Sequence, residues 1–241
     1  MASKVDLILV VGPEHYLKAA IAASKTVPIV VFAFNYDPLA LGYVESLPRP
    51  GGRITGVFSR HPELAGKQLE LLIETFPDRR RVAILWDAQT ADQLSVAERV
   101  ANSLRVEQLQ YKMEKRPYDF DAAFRSLAVR APQMLLVLSS PLFALQRSHI
   151  VELAIQYRLP TMFTLKAYIE AGGLMSYSVD PRPMWRRAAS SVAAILKGAK
   201  PADLPLEQAT KFELVVNLRA AKALGITLPT TIMLRADEVI E

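Results

Sequence analysis

Apolar residues along the chain fall into two alternating patterns, short unbroken runs and stripes at i, i+3, i+4, i+7 spacing. The runs Val5–Val11, Pro28–Phe34, Ile54–Ser59, Val82–Trp86 and Met134–Leu138, with the β-rich Thr161-Met162-Phe163-Thr164, predict strands buried on both faces, as in parallel sheets. Val106–Met113 alternates enough for one more. Between them, stripes predict helices: Leu17, Ala20, Ile21, Ser24; Leu69, Leu72, Ile73, Phe76; Leu94, Ala97, Ala101, Leu104; Phe120, Ala123, Phe124, Leu127; and Ile150, Leu153, Ala154, Tyr157. A longer helix over 181–200 carries Ala188, Ser191, Val192 and Ile195 on one face, with Pro181 near its start and Gly198 and Pro201 at its stop. Phe212, Leu214, Val216 and Leu218 alternate with Glu213 and Asn217, which predicts a late strand exposed on one face, before a short helix over 220–224 that Gly225 ends. Strand and helix thus alternate through most of the chain, an α/β pattern of parallel sheets with right-handed crossovers. Periodicity leaves open whether there is one sheet or two.

In open parallel sheets ligands sit beyond the carboxyl ends of the strands. The turns at those ends are rich in small polar and aromatic groups: Gly12-Pro13-Glu14, Asn35-Tyr36-Asp37, Trp86-Asp87, Ser139-Ser140-Pro141, Phe163 and Ser176-Tyr177. Such a set can hold a small molecule by hydrogen bonds and stacking without transforming it. Asp87 and the Ser139-Ser140 turn offer complementary acceptor and donor groups. Each turn also has a plainer reading. The free N–H groups of the helix after Gly12 favour an anionic ligand group, or Glu14 satisfies that helix start itself. Asp37 either lines a pocket or only closes an Asx turn.

Composition narrows the chemistry. Basic residues exceed acidic ones by 29 to 24, spread along the chain apart from Arg79-Arg80-Arg81, which precedes a strand as a solvated start. With no cysteine there is no disulfide, thiol nucleophile or Cys-based metal site. His15, His61 and His149 lie on separate segments without ligand spacing, so no metal or other cofactor is expected. No G-x-S-x-G, G-x-x-x-x-G-K-[ST] or G-x-G-x-x-G motif occurs, and Ser139-Ser140 lacks a base, so a binding protein is expected before an enzyme. No helix-turn-helix precedes Val5, which argues against nucleic acid. No apolar run reaches about 18 residues, and the start MASKVDLILVVGPE lacks a signal peptide's basic and long apolar regions.

One resemblance is specific. LPTMFTLKAYIEAGGLMSYSVD and ILKGAKPADLPLEQATKFELVVNLRAAKALGITLPTTIMLRADEVIE resemble the carboxyl-terminal signature of the tryptophan/tyrosine-type family of ABC-transporter substrate-binding proteins. YDPLALGYVESLPRPGGRITGV and RRVAILWD are similar to that family as well. The resemblance implies a type I periplasmic-binding-protein fold of two Rossmann-like lobes, residues 1–58 with 176–241 and residues 59–175, that close on a ligand by hinge bending. It places the six turns on either side of a cleft. It also implies a periplasmic protein that binds a small ligand, an aromatic amino acid or related carboxylate, and passes it to a membrane permease. The alternative is an effector-binding domain of a regulator or receptor, since the same fold serves both; an α/β enzyme at the same crevice is the third class.

Members of that family begin with an export signal and a first β-α-β-α portion, whereas this chain begins at what resembles the third strand. The first lobe is therefore expected to be N-terminally truncated, with Val5–Val11 at an edge. That edge either pairs with a second copy, giving a homodimer through the first lobe, or is covered by the chain's own tail, Pro229–Glu241.

Overall fold

The structure, a computed structural model, describes residues 5–59 and 62–241. The chain opens with β1 (Ile8–Gly12), α1 (Glu14–Ala23), β2 (Ile29–Phe34), β3 (Ile54–Ser59) and α2 (Pro62–Thr75). It continues with β4 (Arg81–Asp87), α3 (Ala91–Ser103), β5 (Glu107–Met113), α4 (Phe120–Val129) and β6 (Met134–Val137), then α5 (Pro141–Leu145), α6 (Arg147–Gln156), β7 (Thr161–Phe163) and α7 (Lys166–Glu170). The last third holds β8 (Met175–Val179), α8 (Pro181–Leu196), β9 (Leu206–Gln208), β10 (Phe212–Asn217), α9 (Leu218–Leu224), α10 (Thr230–Arg235) and β11 (Glu238–Ile240). Each expected run holds a strand and each expected stripe a helix, but residues 5–7 precede β1, and Ser24, Phe76, Leu104 and Tyr157 fall just past their helices, Leu104 facing solvent. The described residues form two sheets.

The first compact unit comprises residues 5–59 and 179–211. Its four strands lie in the order β1-β2-β3-β9, and all pair in parallel. One face packs on α1 through Val31, Ala33, Phe58 and Leu17. The other packs on α8 through Val30, Phe32, Val57, Met184 and Ala188. At Gly56 the backbone has φ +133°, and a Cβ would stand 2.1 Å from the Val31 carbonyl oxygen, so only glycine lets β3 approach β2 here.

The second unit comprises Pro62–Ser178 and Phe212–Glu241. Its seven strands run β11-β10-β8-β7-β6-β4-β5. Ile84, Leu136, Met162 and Val216 face α2 and α3. Leu85, Leu135, Phe163 and Val215 face the side of α4, α6 and α7.

Two expectations need correction. Residues 212–241 were expected in the first lobe, yet β10 lies beside β8, Asn217 N–H donates to the Leu174 carbonyl at 2.8 Å, and β11 pairs with β10. The tail Pro229–Glu241 therefore completes the second sheet and adds no strand to the first. β10 was also expected to have a wet face, but Glu213 and Asn217 are buried. Asn217 accepts from Ala220 N–H as the cap of α9 and donates to the Ile169 carbonyl, so its polarity serves a helix start.

Candidate functional site

In the first unit, β1 and β2 are neighbours, and their carboxyl ends bring Gly12-Pro13-Glu14 and Asn35-Tyr36-Asp37 together. Gly12 has φ +135°, and a Cβ there would meet the Tyr16 ring at 2.5 Å, so the tight exit from β1 requires glycine. Pro13 precedes α1, and Glu14 in its first turn pairs with Lys18 at 2.9 Å and accepts from Tyr43 Oη at 2.6 Å. These bonds, Tyr43's foremost, hold the Glu14 carboxyl below its ordinary range. Burial, aided by Glu14, pushes the Tyr43 phenol up to about 12. Asp37 accepts from Leu39 N–H and Ala40 N–H, which is the Asx turn. Asn35 adopts φ +65°. Tyr36 is buried, and its hydroxyl makes no hydrogen bond with another described group. Burial raises its pKa, so it stays a neutral donor.

In the second unit the ends of β4 and β6, which are neighbours, are tied together. Asp87 is fully buried and accepts from Ser140 Oγ at 2.6 Å, Tyr118 Oη at 3.2 Å and Gln89 N–H at 3.0 Å. Ser140 also caps α5, whose first residue is Pro141. Gln93, itself buried, accepts from Ser139 N–H at 2.8 Å and donates to the Ser139 carbonyl at 3.3 Å, fixing that turn. Tyr118 stands where aromatic edges meet, 6.2 Å from Phe120 and 5.8 Å from Phe143 between ring centroids. It lines a cavity of about 170 Å³ with Arg116, Phe120, Leu142 and Gln146.

Trp86 precedes Asp87 on the opposite face of the sheet, with the Lys112 ammonium 5.4 Å from its ring centroid. Its Nε1–H is buried and makes no hydrogen bond with another described group. The same is true of Ser176 Oγ, on a fully buried residue of β8. Tyr177 is half-buried, its ring 5.9 Å from Phe212, and its carbonyl accepts from Gln68 Nε2 at 2.7 Å.

Phe163 departs from expectation. It lies within β7 opposite Ser176, is wholly buried, and stacks on Tyr168 at 4.6 Å. It is a core residue, because β7 is flanked by β6 and β8 and roofed by α7. Ser176 and Tyr177 likewise sit inside β8 instead of in a turn. Tyr43, Gln68, Gln93 and Tyr118 went unread in the sequence. Tyr118 lies after the carboxyl end of β5, where the turn rule that found the others points. Gln68 falls on the stripe of Leu64 and Leu72, and Gln93 on that of Ala97 and Ala101; a glutamine on an apolar stripe is the signal for a buried clamp. His149 pairs with Asp121 at 2.8 Å on the surface.

Among the described residues no helix is long and apolar enough to cross a membrane. A curated tyrosine-binding protein of Clostridioides difficile (strain R20291) is 23% identical over 237 residues, covering 94% of this chain, and the chain spans 65% of that relative's length, under two thirds. A solved conserved domain protein from Vibrio cholerae O1 biovar El Tor is 25% identical with TM-score 0.83, over 98% of this chain and 79% of that one. An ABC domain from Streptococcus pneumonia solved in complex with L-Trp is 24% identical with TM-score 0.81, over 99% of this chain and 80% of that one. The fold is that of the type I periplasmic binding proteins. The family model for ABC transporter substrate binding proteins matches residues 1–240, and the chain belongs to that family.

Proposed function

We propose that the protein is the solute-binding component of an ABC transporter, that its ligand is an aromatic amino acid, and that it works outside the cytoplasmic membrane, handing the ligand to a permease. Its partners on this reading are the small molecule, the permease and a second copy of the chain. One observation carries the ligand assignment. Three aromatic or hydroxyl groups in the strand-end set, Tyr36 Oη, Trp86 Nε1–H and Ser176 Oγ, are buried without a partner among the described residues. Leaving a buried polar group unsatisfied costs about 1–3 kcal/mol, so such groups mark places where a ligand or ordered water completes the bonding. Relatives named for tyrosine binding or solved with L-Trp support the aromatic class.

Ligand contact is assigned in the first unit to Tyr36, with Gly12, Glu14, Asn35 and Asp37 shaping its turns, and in the second to Trp86 and Ser176, beside Ser139 and Tyr177. Asp87, Ser140 and Pro141 hold β4, β6 and α5 in place. No reacting group is needed for this work, only an arrangement that exchanges one set of hydrogen bonds for another. The test is calorimetric titration with L-tryptophan and L-tyrosine, with L-leucine and L-glutamate as controls. Saturable binding of the aromatic pair, weakened by Trp86→Phe and by Ser176→Ala, is expected. Equal heats from all four, or aromatic binding untouched by both substitutions, overturns the reading.

A further inference from the structure

One cavity in the second unit is lined by none of the groups assigned to the ligand above. β5 and β6 flank β4 in the sheet, so the loop leaving β5 and the helix α5 that follows β6 stand on either side of the carboxyl end of β4. Between them lies the cavity of about 170 Å³, lined by Arg116, Tyr118 and Phe120 from the β5 side and by Leu142, Leu145 and Gln146 from the α5 side. Its walls are held from behind. Asp87 accepts from Tyr118 Oη on one wall and from Ser140 Oγ, the cap of α5, on the other, so one buried carboxylate fixes the spacing of the two. Phe120 and Tyr118 each meet the buried Phe143 ring of α5 edge to face, at 5.6 and 5.8 Å between centroids. A cavity so braced is preorganised, and a ligand entering it has little ordering to induce.

Size and lining choose the occupant. A cavity of about 150 Å³ walled by Leu, Ile and Phe takes one benzene ring, and this one is of that class, with two aromatic rings and two leucines in its walls. Leu145 is 76% exposed, an apolar side chain at the mouth that a seated ring would cover. Arg116 and Gln146 supply the polar side. Among the described residues Arg116 pairs with no carboxylate; its guanidinium donates to the Tyr118 hydroxyl, and the rest of its fork is available to an acid. The cavity is also remote from Ser176. Neighbouring strands stand about 4.8 Å apart and β8 is four places from β5, so Ser176 is about 19 Å across the sheet from the end of β5. Trp86 packs on the sheet face opposite to that of Tyr118 and Phe120.

We propose that this cavity is a second ligand site, which takes a small carboxylic acid bearing a single aromatic ring. The ring lies between Tyr118 and the two leucines of α5, and the carboxylate meets the Arg116 guanidinium at the mouth. Neither half of such a molecule suffices by itself: the ring alone leaves the guanidinium without its acid, and the acid alone leaves the apolar walls uncovered.

The experiment is a ligand-observed NMR titration of the full chain with benzoate, alongside benzyl alcohol as the ring without the charge and acetate as the charge without the ring. Benzoate is expected to bind saturably, with a dissociation constant on the order of 1 mM for so small a probe, and the other two at least about fivefold more weakly. Arg116→Gln should weaken benzoate at least about fivefold and leave benzyl alcohol unchanged. Leu142→Trp, which fills the cavity, should remove both. Leu145→Glu changes an exposed residue, so folding is not at stake, and the like charge it places at the mouth should weaken benzoate at least about threefold while sparing benzyl alcohol. None of the three should change titrations with L-tryptophan or L-tyrosine. Benzoate that does not saturate, that binds no better than the other two probes, or that is indifferent to both Arg116→Gln and Leu145→Glu overturns the inference. Loss of amino-acid binding in these variants also overturns it, by assigning the cavity to the amino-acid site. A chain that binds benzoate in this way but no aromatic amino acid upholds the second site and refutes only the function proposed above.

Discussion

Asp87→Ala is expected to destabilise the second unit by about 3 kcal/mol, and the sum follows from what each donor to that carboxylate can do once it is gone. Ser140 is 3% exposed and donates at 2.6 Å. Its hydroxyl is left in a place water does not reach, and losing a hydrogen bond to an acidic side chain there costs about 1–3 kcal/mol. Gln89 N–H lies at an exposed turn, so its loss is that of a helix cap, about 1 kcal/mol. Tyr118 is half-buried and bonds at 3.2 Å, so water replaces Asp87 there for less than about 1 kcal/mol. At about 2–4 °C per kcal/mol for a unit of this size, the melting temperature falls by roughly 6–12 °C.

The chain has two tryptophans. Trp86 lies in the second unit and Trp185 in the first, so urea unfolding followed by Trp86 emission in a Trp185→Phe background reads the second unit alone. A double-mutant cycle then isolates the Ser140 contribution. Because most of the loss comes from stranding the Ser140 hydroxyl, Asp87→Ala combined with Ser140→Ala should be no less stable than Asp87→Ala alone, a coupling of about 1–2 kcal/mol. Strict additivity of the two substitutions, or a loss below about 1 kcal/mol for Asp87→Ala, refutes the reasoning.

Ser176→Ala should leave stability unchanged or slightly raised in thermal melts, because the hydroxyl it removes has no partner among the described residues, while weakening aromatic-ligand affinity by about 1 kcal/mol in calorimetry. Gly56→Ala should cost at least about 3 kcal/mol in urea unfolding followed through Trp185, since it adds both a disfavoured φ and a clash with the Val31 carbonyl. Asp180 is buried against Arg182 and Lys211, and their hydrogen bonds, Arg182's first, lower its pKa from 3.8 to about 2. A carboxyl depressed in the folded state stabilises above its unfolded pKa and loses that contribution as pH falls through its folded one; Asp180→Asn should therefore cost about 1 kcal/mol at neutral pH, reduced by the exposure of both cations, and progressively less as pH falls from the ordinary carboxylate range through the folded pKa.

The sequence carried the elements and most strand-end turns because burial is periodic and turns announce themselves by composition. What it did not carry was the polar residue used inside an element. Glu213 and Asn217 alternate with apolar neighbours as though facing water, but β10 is covered on both sides and Asn217 is spent on capping α9 and on the Ile169 carbonyl. The lobe assignment of residues 212–241, carried over from the resemblance, failed because a strand's sheet is decided by its pairing, on which periodicity is silent, and here β10 pairs beside β8. Phe163 was misplaced because its strand is only three residues long, so the position read as a turn lies within the sheet.

The buried polar groups of the strand ends divide by whether the chain itself satisfies them. Asp87, Ser140, Gln93 and Gln68 are bonded within the second unit, each tying a strand end to a helix or to a second turn. Such groups earn rigidity, and their replacement should be read in unfolding. Tyr36 Oη, Trp86 Nε1 and Ser176 Oγ are also buried atoms, yet they bond to no other described group. A buried donor without a partner weakens the fold, and on the binding reading proposed above its presence is explained by what it contacts when the protein works. On that proposed reading stability and affinity should separate residue by residue along strands only a few residues apart, Asp87 on one side of the division and Trp86, its immediate neighbour, on the other.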